Sequence, residues 1–193
     1  MSKEYEVQES QLVVATREHF TRTISEGDPV HQFFPHHVRQ VEKWASRILE
    51  FYPEADREVV LLAVWLHDIG HTNKANMENH EIYSEQEARV FLPTLGLPEE
   101  RIDMVAHCVR THRCKPDALP ETIEAKVLAA ADSASHMTDI VYIYMLNDGI
   151  SKESVLDKLE RDIRDTQSIP EPLQEQLIPL QTAWRELISV FPE

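Results

Sequence analysis

An all-α fold is predicted by three features of the chain. Glycine is scarce, at four in 193 residues, while Glu, Leu and Ala are plentiful. Apolar residues recur at helical spacing through most of the length. No long stretch alternates polar and apolar residues as a half-buried strand does. With 42% apolar residues the chain can bury a core of single-domain size, and a bundle of about six to eight helices is expected.

The first helix spans Gln8–Ile24, with Leu12, Val13, Thr16, Phe20 and Ile24 on one side, and Gly27-Asp28-Pro29 breaks it. The second, His36–Phe51, turns Val38, Val41, Ala45, Ile48 and Leu49 inward. The third runs from about Glu54 to His67. Its middle, VVLLAVWL, is apolar nearly all round, which places it at the bundle centre, with Gly70 ending it. Residues 71–79 read as a polar loop. Helices follow at Glu81–Leu95 and Glu99–Arg113, separated by Gly96-Leu97-Pro98. One long helix is expected over Glu121–Asn147, then two amphipathic ones over Ser151–Thr166 and Glu171–Val190.

Nineteen basic residues against thirty-four acidic ones give a net charge of −15. Such a surface repels duplex nucleic acid and anionic membranes at long range, but not a small anion drawn in by a bound cation. The strongly apolar runs Val59–Leu66 and Ile140–Leu146 are too short to span a bilayer. The opening MSKEYEVQES lacks the apolar stretch of a signal peptide. Cys108 and Cys114 are no disulfide framework and read as free thiols of a cytoplasmic protein.

The most informative stretch is Ala63-Val64-Trp65-Leu66-His67-Asp68-Ile69-Gly70-His71. A His-Asp pair closing a buried apolar helix needs partners or a cation, and a divalent ion accepts both imidazole nitrogen and carboxylate oxygen. Taken alone, the dipeptide reads better as a structural pair in which Asp68 orients His67. Two further stretches add context. His37 opens His37-Val38-Arg39-Gln40-Val41-Glu42-Lys43-Trp44-Ala45, and Asp132 lies amid small residues in Leu128-Ala129-Ala130-Ala131-Asp132-Ser133-Ala134-Ser135.

His, then His-Asp, then Asp on three separate helices resembles the HD family of phosphohydrolases, over roughly residues 31–140. The resemblance implies an HD-domain-like bundle. It makes His37, His67, Asp68 and Asp132 the metal ligands, with Asp68 also the catalytic residue. His36 competes with His37, which is preferred because Val41 and Ala45 then fall four and eight residues later. Residues 1–30 are expected as an N-terminal helix on the core, 31–147 as the metal-binding core, and 148–193 as C-terminal helices packed on it. The implied cofactor is a divalent transition metal (Mn, Fe, Ni, Co or Zn). One ion is expected, and a second is left open at His80 and His112, which stand where two-metal members place extra histidines.

The implied activity is hydrolysis of a nucleotide or other small phosphate ester or anhydride by metal-activated water. A non-catalytic metal-binding sensor or interaction module of the same fold is the alternative. The expected partner is a small phosphorylated substrate, with neither duplex nucleic acid nor membrane.

His71 stands where many relatives carry a lysine. Together with Arg110 and Arg113 it is a candidate phosphate contact, though cations also favour the end of a helix. His136, one turn after Asp132, reads either as an orienting group for that carboxylate or as a satisfied core residue. His107 is expected to pack in the bundle, and Glu78, Glu81, Glu85 and Glu87 to form a solvated face.

Overall fold

The apolar centre of the chain becomes the centre of the fold. In the computed structural model, which describes residues 10–27 and 34–192 apart from the side chain of Lys74, α3 (Arg57–Leu66) buries every residue from Val59 to Leu66 except Leu61. Asp56 starts it by accepting hydrogen bonds from the Glu58 and Val59 amides at 3.0 and 3.1 Å, which satisfies two of the donors that a helix start leaves free. Around α3 pack α1 (Gln11–Glu26), α2 (Phe34–Leu49), α5 (Glu99–Thr111) and α6 (Ile123–His136). Next to α5 lies α4 (His80–Phe91). No strand forms among the described residues; Lys115 and Ala118 make one isolated bridge.

Beyond α6 come α7 (Val141–Asn147), α8 (Lys152–Asp165) and α9 (Glu171–Val190). The long helix expected over Glu121–Asn147 is therefore two helices with a turn between them. Polar residues of that turn take the bonds a continuous helix would use. Thr138 donates to the Ser135 carbonyl and accepts from the Trp44 indole at 2.9 Å, while Asp139 accepts from the Val141 amide at 2.8 Å. Asp and Thr compete for backbone groups in this way, and here they win over the apolar periodicity.

The expected polar loop at 71–79 holds two 3-10 turns, Ile69–Thr72 and Lys74–Asn79. Gly70 sits in the first of them. Its role is close approach: a Cβ there would lie 2.4 Å from the His80 carbonyl oxygen. The Gly70 amide instead donates to Ser84 at 2.9 Å, pinning the turn after α3 onto α4. Asp28 and Pro29, read above as the end of the first helix, and the opening MSKEYEVQE lie outside the described residues. No helix among the described residues is long and apolar enough to cross a membrane.

Candidate metal centre

Five helices deliver polar side chains to one buried point. His37 comes from the first turn of α2, His67 and Asp68 from the end of α3, and His80 from the start of α4. His112 follows α5, and Asp132 lies within α6. All six are buried, at most 9% exposed. His37, not the exposed His36, turns inward.

Asp68 lies between two sets of imidazoles. Its Oδ2 is 3.5 Å from both His37 Nε2 and His67 Nε2. Its Oδ1 is 3.3 Å from His80 Nε2 and 3.8 Å from His112 Nε2. Asp132 Oδ1 completes the first set, 3.1 Å from His37 Nε2 and 3.7 Å from His67 Nε2. These ligand atoms fall into groups of three within 4.8 Å of one another.

The outer nitrogens decide what the inner ones can do. His67 Nδ1 lies 2.8 Å from the Val64 carbonyl, His112 Nδ1 2.7 Å from the Val109 carbonyl and His80 Nδ1 3.2 Å from the Met77 carbonyl. A carbonyl only accepts, so each Nδ1 carries the proton. His37 Nδ1 is held the same way by the Asp139 carboxylate at 2.8 Å, with the Ser135 hydroxyl at 3.3 Å. All four Nε2 atoms are thereby turned inward as the sites for a cation, which is how protein scaffolds orient ligating histidines.

Two observations show that such a cation fits. His67 Nε2 and Asp132 Oδ1 are buried without a hydrogen-bond partner; His37 Nε2 is near Asp132 Oδ1 but does not line up with it. His80 Nε2 and His112 Nε2 face each other at 3.2 Å. Burial pushes His80 well below its ordinary range in spite of Asp68, and burial together with His67 takes His112 down to about 4. Two neutral rings thus point lone pairs at one another.

The other set behaves in the opposite way. Burial opposes charge on His37, but Asp132 and Asp139 outweigh it and raise the ring to about 10. His67 is likewise raised, by Asp68 and Asp132 against burial. Asp68 and Asp132 are held far below the usual carboxylate range by the surrounding imidazoles, again against burial. A proton on His37 or His67 stands where a metal would. Imidazole and carboxylate together are a donor set for divalent transition metals, and the buried cluster can hold one.

The remaining candidates lie at the rim or elsewhere. His71 is half-buried, stacked at 3.8 Å on His80 and at 4.7 Å on Phe34, with Nε2 3.7 Å from Asp68 Oδ1. Arg110 and Arg113 gather on Glu81, at 3.4 and 2.9 Å, joined by Lys115. This corrects the reading of Glu81 as part of a solvated face: its side chain is fully buried, whereas Glu78 is exposed and Glu85 and Glu87 are half-buried. His107 is half-buried and accepts from the Glu121 amide at 3.2 Å. Sequence reading missed Asp139, and also Lys158, Asp162 and Tyr142, which surround His136. Nothing marks them in the sequence. Lys158 and Asp162 look like an ordinary i,i+4 surface pair, and Asp139 falls in a stretch with helical periodicity.

The HD-domain family model matches residues 36–137, from the turn that carries His37 to the end of α6. Among solved structures, the chain resembles a predicted HD superfamily hydrolase from an uncultured Thermotogales bacterium. The TM-score is 0.62 at 17% identity, over 92% of this chain and 90% of that one, which speaks for the shared fold. No curated protein matches. The family match spans just over half of the 193 residues and holds all six side chains of the cluster, so the chain belongs to the HD-domain family.

Proposed function

We propose that the protein is a metal-dependent phosphohydrolase acting on a nucleotide or another small phosphate ester or anhydride. The observation that carries this reading is Asp68, whose two oxygens face two separate sets of inward-turned imidazole nitrogens. His37, His67, Asp132 and one Asp68 oxygen would hold one ion. His80, His112 and the other Asp68 oxygen would hold a second. Mixed imidazole and carboxylate ligands favour Mn, Fe, Ni, Co or Zn over Ca. A divalent ion bound here supplies Lewis acidity toward a phosphoryl oxygen and makes water more acidic.

The chain itself supplies the rest. Apolar helix faces around the cluster keep its dielectric low and its charges strong. Arg113 and Lys115, each about a third exposed on the His112 side, give an acidic protein a local positive rim for a phosphate. A cysteine nucleophile is disfavoured: burial pushes both Cys108 and Cys114 up to about 12.

The test is release of phosphate or pyrophosphate from a broad panel of nucleotides and phosphoesters by protein loaded with Mn²⁺, Co²⁺ or Ni²⁺. Asp68→Ala is expected to abolish turnover while leaving the helical circular dichroism in place. A metal-loaded wild type inert across the panel would point to a binding module instead, and full activity in Asp68→Ala would place the chemistry elsewhere.

A further inference from the structure

His136 lies beside the cluster, and its outer nitrogen is held in a different way from the other four. Its Nε2 is 3.5 Å from Asp132 Oδ1, and its ring stacks on His37 at 5.0 Å with an interplanar angle of 5°. By position alone it would be one more ligand, since His37, Asp132 and His136 form one of the possible metal-holding groups.

The outer nitrogen argues against that. His136 Nδ1 faces Lys158 Nζ at 2.9 Å, and a lysine ammonium only donates. Lys158 has three protons and three acceptors around it: the two Asp162 oxygens, at 2.7 and 2.9 Å, and His136 Nδ1. Asp162 also accepts from the Tyr142 hydroxyl at 2.7 Å. Asp162 Oδ2 comes within 3.2 Å of His136 Nδ1 as well, but that approach does not line up as a hydrogen bond. Lys158 and Tyr142 as donors, and Asp162 and His136 Nδ1 as acceptors, are all satisfied when Nδ1 carries the lone pair. A proton on Nδ1 would face the ammonium head-on. The ring proton is therefore on Nε2, the reverse of His37, His67, His80 and His112.

From this reversed tautomer we infer that His136 is not a ligand but a fixed hydrogen-bond donor. Its Nε2–H is held beside Asp132 to bind a phosphoryl oxygen of the substrate, and Lys158 and Asp162 act as positioning residues. The inference rests on the phosphohydrolase reading for the identity of the acceptor, though not for the tautomer. It also gives α7 and α8 a part in the site, although both lie outside the family match at 36–137. Among the described residues, the cation at His136 Nδ1 comes from α8.

The test uses full-length protein loaded with diamagnetic Zn²⁺, with inorganic phosphate as the probe. Long-range ¹H–¹⁵N spectra are expected to show His136 protonated at Nε2 and the four ligating rings protonated at Nδ1. Lys158→Met should move the His136 proton to Nδ1, where Asp162 can take it. His136→Phe should keep its zinc and lose about ten-fold in phosphate affinity, the scale of one hydrogen bond to a charged group. His136→Gln, which restores an N–H donor, should recover part of the loss.

A His136 proton on Nδ1 in the wild type, loss of zinc in His136→Phe, or unchanged phosphate affinity would each overturn the assignment. The two readings fail separately. Turnover of phosphoesters with any of these results sinks only the His136 assignment. The expected tautomer and phosphate affinities in a protein inert toward every phosphoester sink only the hydrolase.

Discussion

Glu81 and Asp132 are carboxylates of the same helical bundle, both buried, and the chain answers their charges in opposite ways. Glu81 lies among three fixed cations, Arg110, Arg113 and Lys115, which reach it from α5 and the segment after it. Burial opposes its charge, but Lys115 and Arg113 prevail and take the carboxyl down to about 2. Among the described residues, the ion-pair partners of Asp132 are imidazoles, and its Oδ1 accepts no hydrogen bond. The counter-charge of Glu81 cannot leave, so Glu81 ties α4 to the end of α5. The counter-charge of Asp132 is a proton on an imidazole and can be exchanged. A buried acid with permanent cations is part of the fold, whereas one whose partner can be removed is part of a site.

Exchanging the roles of these two acids by mutation gives the largest expected contrast. Asp132→Asn should weaken metal binding by more than about 100-fold, beyond what loss of an outer-shell partner alone costs. The thermal midpoint of the metal-free protein should fall near neutral pH, because the raised His37 and His67 imidazoles lose a carboxylate that answers their charge. Titration calorimetry with Mn²⁺ and a melt in chelator read the two halves, and near wild-type metal affinity would remove Asp132 from the ligand set.

One step out, Asp139→Asn keeps an acceptor for the Val141 amide but sets an NH₂ group against His37 Nδ1. Metal affinity should fall about 10- to 100-fold with the fold intact. An unchanged affinity would mean that the ring needs no help to point inward.

Glu81→Gln should act on stability instead. Breaking a buried ion pair costs about 3–5 kcal/mol at most. The three cations are each about a third exposed and can rehydrate, so a loss of roughly 1–3 kcal/mol in urea is expected. Metal affinity should stay within a few-fold of wild type; a larger drop would make the Glu81 cluster part of the site.

The subtlest difference lies in pH. The carboxyl of Glu81 is depressed from 4.5 to about 2, so its stabilisation is present above 4.5 and lost as pH falls toward 2. His37 is raised from 6.5 to about 10, so its stabilisation in metal-free protein is full below 6.5 and lost as pH rises through 10. Glu81→Gln should flatten the acid limb of the stability curve and Asp132→Asn the alkaline one. Metal binding runs the other way, because the proton on His37 Nε2 must leave: affinity should rise with pH between about 6.5 and 10, with protons released. Metal affinity that is flat over that range would show that no ligand proton is displaced.

Much of the buried cluster was legible because isolated polar residues in apolar helices are conspicuous. His67 and Asp68 close the most apolar helix of the chain, and Asp132 interrupts a run of alanines. Each stands out against its own neighbours, so local sequence is enough to single it out. Helical period likewise foretold most of the elements, since an amphipathic stripe is a local property. It failed between α6 and α7, where Thr138 and Asp139 take local backbone bonds and are held by side chains of a distant element, Trp44 and His37.

What the linear chain determined, then, is which residues have no reason to be buried unless something compensates them. Only the tertiary structure decided how they are compensated. Arg113 read equally as a phosphate contact or a helix-end cation, and its place on Glu81 depends on how α4 lies against α5. His136 read as a core or orienting residue, and the side of its ring that carries the proton depends on Lys158, twenty-two positions away on another helix. Hydrogen-bond polarity is set by the partner, and in a bundle of helices the partner of a buried side chain is chosen by packing, not by proximity in sequence.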